Sequence, residues 1–102
     1  MMKYLGALHG AGMLVDPEGP LGRVDYELDA YLVHLAEVVA SGEIRMNPEE
    51  LKEAFGKRDL SLQTDDGRTL SLRFSGKRPG AASDAAHVDV RGGLPDAKEW
   101  RR

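Results

Sequence analysis

Ser83, Asp84 and His87 bring the three side-chain types of a hydrolytic triad within five residues of one another. In that chemistry an imidazole takes the serine proton and a carboxylate orients the imidazole, so a rigid scaffold must hold all three in space. One short loop does not supply such a scaffold. Serine and aspartate are ordinary loop residues, and the GxSxG elbow of a hydrolase strand-turn-helix is absent from the chain. His9, His34 and His87 are the imidazoles open to a metal such as zinc. No two are spaced HxH or HxxxH, and His9 meets His87 only if the first and last strands pair. Scattered surface or edge positions are the plainer reading, and no metal or cofactor is expected.

Two loops have the composition of ligand sites without their order. Gly76-Lys77-Arg78-Pro79-Gly80 is glycine-rich and basic, but it lacks the GxxxxGK[ST] order and has no useful helix after it. It reads as a mobile basic loop. Asp65-Asp66-Gly67 lacks the further ligands of a calcium loop and reads as a turn.

Asp25, Glu27 and Asp29 fall on one face of an alternating segment, about 7 Å apart by strand rise. Three carboxylates in a row suit a cation or a basic partner. The plainer reading is a solvated face with Arg45, Arg73 or Arg91 on a neighbouring strand. Charge is also divided along the chain. Residues 1–50 carry three basic and nine acidic residues, net −6, and residues 51–102 carry eleven basic and eight acidic, net +3. Asp25, Glu27, Asp29, Arg73 and Arg91 are therefore the candidate partner surface. Tyr26 is expected to fill the core, because six aromatics in all make a poor stacking platform for bases.

The elements that must position these residues are mostly strands. Residues 3–15 contain Gly6, Gly10 and Gly12, which disfavour a helix, and read as a kinked strand or two short ones. Asp16-Pro17-Glu18-Gly19-Pro20 is a turn cluster. Over residues 23–32, Val24, Tyr26, Leu28, Ala30 and Leu32 alternate with polar side chains, the pattern of a half-buried strand. Residues 30–41 also fit a helical stripe, but the β-branched Val33, Val38 and Val39 favour strand. Ser41-Gly42 then precedes another alternating run, with Ile44 and Met46 inward. Asn47-Pro48 opens a short helix over about residues 48–55, with Glu50 as capping-box partner and Gly56 as a left-handed stop.

The next hairpin can be registered by parity. A three-residue loop, Asp65-Asp66-Gly67, pairs Leu62 with Leu70 and Leu60 with Leu72, whereas a two-residue loop sets Leu62 against Ser71. Val88 and Val90 mark a last strand, and Gly92-Gly93 ends it. The chain is thus expected to be mainly β, a six- or seven-stranded antiparallel barrel or sandwich with one short helix. Residues 1–95 form its single domain, and residues 96–102 a polar tail with Trp100.

The absence of cysteine excludes disulfides, thiolate metal sites and cysteine nucleophiles. It fits a reducing compartment. No recognisable leader precedes the first strand and no run reaches the roughly 18 apolar residues of a membrane helix, so a cytoplasmic chain is expected. A formal net charge of −3 argues against nucleic acid as a partner. The sequence points to a non-enzymatic binding module for a protein partner or for a second copy. The alternative is a small ligand-binding barrel or enzyme with a polar pocket.

Overall fold

A computed structural model of the chain describes residues 2–34, 37–76, 78, 80, 82–96 and 99. Six strands follow in order: β1 (Lys3–Asp16), β2 (Gly19–Leu32), β3 (Val38–Arg45), then after the helix β4 (Leu60–Thr64), β5 (Thr69–Phe74) and β6 (Ala85–Gly92). Helix α1 (Pro48–Ala54) links the two sets of three. All neighbours are antiparallel, and the strands close in the order β1-β2-β3-β6-β5-β4, with β4 returning to β1. The mainly β expectation therefore holds as a closed six-stranded barrel with one short helix.

Alternation explains the closure. Leu14, Val24, Leu28, Ile44, Leu62, Leu70, Val88 and Val90 are almost wholly buried and meet in one interior. Side chains from every strand thus fill the barrel, as in small barrels generally. Leu60 lies opposite Leu72 and Leu62 opposite Leu70, so the hairpin register and its three-residue loop are as parity requires. Thr64 and Arg68 close that loop, and Gly67 takes φ 97°.

Helix α1 begins as the sequence dictates. The Asn47 side chain accepts hydrogen bonds from the backbone N–H of Glu49 (2.9 Å) and Glu50 (3.3 Å), and Pro48 starts the first turn. Leu51 and Ala54 are buried and Met46, just before the cap, joins the same core.

Residues 3–16 form one strand, as the kinked-strand reading has it, with register shifts between Tyr4 and Gly6 and between Leu14 and Val15 that absorb the bends. Two local expectations are corrected. The strand read across residues 30–41 is interrupted: β2 ends at Leu32 and β3 begins at Val38, and of the residues between them Leu35 and Ala36 lie outside the described residues. β3 runs through Ser41-Gly42, where Gly42 lets β2 come so close that a Cβ would collide with the Glu27 carbonyl oxygen. The helix stops just ahead of Gly56 as expected, but its cap conformation differs: Phe55 remains right-handed, Gly56 does not take the left-handed conformation, and Asp59 does, at φ 56°. Beyond β6, Leu94 packs on the core and Pro95 is buried, while Trp100 lies outside the described residues.

Candidate interaction surface

The outward residues of β5 and β6 follow from the inward ones. Leu70, Leu72, Val88 and Val90 point inward, so Arg73, Asp89 and Arg91 point outward, with Arg73 directly opposite Asp89. The chain leaving α1 passes over the same side. Phe55 stacks at a tilt on Phe74, the last residue of β5, with ring centroids 5.0 Å apart. The Arg78 guanidinium stands 5.0 Å from the centre of the Phe55 ring, within cation–π range. Arg78 thus has a fixed aromatic neighbour, whereas Lys77 and Pro79 of the same basic loop lie outside the described residues.

Between these parts runs an open groove of about 690 Å³. Lys57, Arg58, Arg73 and Arg91 line it against Asp59 and Asp89, and Phe55 and Phe74 supply apolar wall. Four cations against two carboxylates make it electropositive. Lys57 and Arg58 escaped the sequence reading. Their signal was present, since a basic pair follows a two-turn helix. Their proximity to Arg73 and Arg91 depends on the path from α1 into β4, which no periodicity specifies.

The carboxylates occupy a different side. Asp25, Glu27 and Asp29 are exposed on β2, opposite Arg45, Glu43 and Ser41 of β3. Arg45 forms ion pairs with Glu43 and Asp84, each at 3.4 Å, and Asp29 accepts a hydrogen bond from the Tyr4 hydroxyl (3.1 Å). β2 and β5 are three strands apart in a ring of six. Arg73 is therefore half-way around the barrel from the acidic row, and the five candidate residues divide between two faces.

The remaining candidates disperse. β1 pairs with β2 and β4, and β6 with β3 and β5, so His9 and His87 are kept apart by two strands. His9 lies beside Glu27 and His87 beside Glu43, yet among the described residues no three His, Asp or Glu side chains converge to hold a cation. His87 Nδ1 is hydrogen-bonded to the Ser75 hydroxyl (2.6 Å), Ser83 turns to the Ala85 backbone, and Asp84 faces Arg45. The supposed triad residues thus have three separate sets of partners. Asp65 of the β4–β5 turn accepts a bidentate pair from Arg23 of β2 (2.8 and 2.6 Å). That hydrogen bond and charge lower the Asp65 pKa and raise that of Arg23.

Tyr26 is 7% exposed and fills the core. Its phenol pKa is raised, first by burial and then by the Asp66 charge. Gly10 makes room for it: a Cβ there would lie 3.1 Å from the Tyr26 hydroxyl oxygen. No protein-family model matches the chain, and neither a curated protein nor a solved structure is detectably similar to it.

Proposed function

We propose that this small β-barrel is a non-enzymatic interaction module that receives an acidic protein segment in the groove between α1, β5 and β6. One observation carries the reading: Arg73 and Arg91 share an open groove with Lys57 and Arg58, beside the rings of Phe55 and Phe74. Guanidinium groups match carboxylate geometry and keep their charge at every physiological pH. Aromatic wall next to them lets the aliphatic part of an acidic segment bury apolar surface while its carboxylates meet the cations.

The filled interior favours this surface reading over an internal ligand chamber, because the space that would hold a ligand is occupied by Leu, Ile and Val side chains. The alternative retains one supporting fact: a volume of about 690 Å³ is within the range of small-molecule sites. A labelled oligo-glutamate peptide separates the two. Fluorescence anisotropy should show binding at low salt that weakens as salt screens the charges. Arg73→Glu with Arg91→Glu should abolish it, and Asp25→Lys should leave it in place. Absence of binding at low salt and high protein concentration would remove the acidic-segment reading and leave the small-ligand one.

A further inference from the structure

We infer that the acidic segment is the β2 face of a second copy, so that copies of this chain join head to tail. The inference rests on the groove reading above and names its occupant. Asp25, Glu27 and Asp29 project from one exposed strand face, about 7 Å apart. Such a row presents a straight edge of carboxylates to an open groove whose cations outnumber its acids. The chain therefore carries complementary surfaces of its own.

Their placement decides the symmetry. β2 and β5 lie on opposite sides of the ring. A two-fold dimer buries the same patch on both partners, and one patch cannot contain both faces. Each copy instead offers its acidic face to one neighbour and its groove to another. Such a contact is heterologous and continues into a chain or closes as a ring. The contact is left to side chains, since the strands that carry the two faces, β2, β5 and β6, are each paired with a neighbour on both sides. It is an exposed, charge-driven contact, so it is weak individually and strongly salt-dependent.

Sedimentation of the full chain over a concentration series at low and high salt is the test. The wild type should grow past the dimer at low salt and return to monomer at high salt. Two charge-reversed variants make the test specific. Asp25→Lys/Glu27→Lys/Asp29→Lys has two basic faces, and Arg73→Glu/Arg91→Glu has two acidic ones. Each alone should remain monomeric, with apparent self-affinity reduced about tenfold or more. Mixed together they should associate, because the acidic β2 row of one then meets the basic groove of the other, and the acidic groove the basic β2 face. If either variant fails to fold by circular dichroism, the neutral set Asp25→Asn/Glu27→Gln/Asp29→Asn should lose self-association in the same way. A monomeric wild type at low salt, assembly that stops at a dimer, or a mixture that stays monomeric would each overturn the inference. Oligo-glutamate binding in the face of those results would leave the groove reading intact.

Discussion

The barrel consists of two three-stranded meanders, β1–β3 and β4–β6, and they solve the same problem with different materials. Each strand of the first pairs within its own meander, and β1·β4 and β3·β6 make the seams. The first has two 14-residue strands, while β4 and β5 have five and six residues. Residues 3–45 hold three basic and seven acidic residues, and the outward charge of β5 and β6 is mixed and lines the basic groove. Yet both meanders supply the same kind of inward residue to one core. Inward parity sets the architecture, and the outward positions are free to carry opposite signs.

If the meanders share one core, equivalent truncations in each should cost the same. Leu28→Ala in β2 and Leu70→Ala in β5 should each lower stability by about 3 kcal/mol. Chemical denaturation followed by far- and near-UV circular dichroism should give one coincident transition. Two separated transitions would divide the barrel into independent halves.

The glycines sharpen the contrast. Gly42 of β3 is there for space and Gly67 for backbone torsion. Gly42→Ala should cost about 2–3 kcal/mol, since its Cβ would meet the β2 backbone. Gly67→Ala has open space around it and should cost about 1 kcal/mol through φ alone. Equal losses in denaturant melts would show that the closeness of β2 to β3 is not constraining. Asn47→Ala, in the link between the meanders, should also cost about 1 kcal/mol through loss of the helix cap. An unchanged unfolding midpoint would mean the link contributes nothing.

The smallest effect belongs to the Arg23–Asp65 pair, which crosses from one meander to the other on an exposed surface. The Asp65 pKa is lowered in the folded state. Its contribution to stability is therefore present above the ordinary carboxylate range and is lost as pH falls through the lowered folded value. Wild-type and Asp65→Asn melts should differ slightly at neutral pH and converge in strong acid. A gap that persists there would assign the difference to something other than this carboxylate.

Legibility followed the range of the interactions. The β4–β5 register could be read because Leu60, Leu62, Leu70 and Leu72 are separated by one short turn. The start of α1 could be read because Asn47 and Pro48 act within one turn. Its end ahead of Gly56 could also be read, but not the conformation of that end: Phe55 caps it right-handed, with its ring on Phe74, a tertiary contact. The close approach that requires Gly42 was not readable either, since a glycine required by a neighbouring strand looks the same as a glycine in a turn. Closure itself joins residues 12–15 to residues 61–64, and no local pattern encodes that partnership. For the site, strand parity identified Arg73 and Arg91 as outward. It could not say that Asp25, Glu27 and Asp29 would be on the far side, nor that the chain beyond α1 would bring Lys57 and Arg58 alongside.

The β1·β4 seam is short, running from Gly12 opposite Thr64 to Val15 opposite Ser61, while β1 and β2 pair along nearly their whole length. Few backbone bonds close the ring there, and each joins parts of the chain far apart in sequence. Opening the seam should therefore cost less than unzipping β1 from β2, and with the β3·β6 seam it should form late in folding, since distant pairings are slow to form. While it is open, β1 and β4 each present unpaired amides and carbonyls, and the barrel is briefly a curled sheet with two sticky edges.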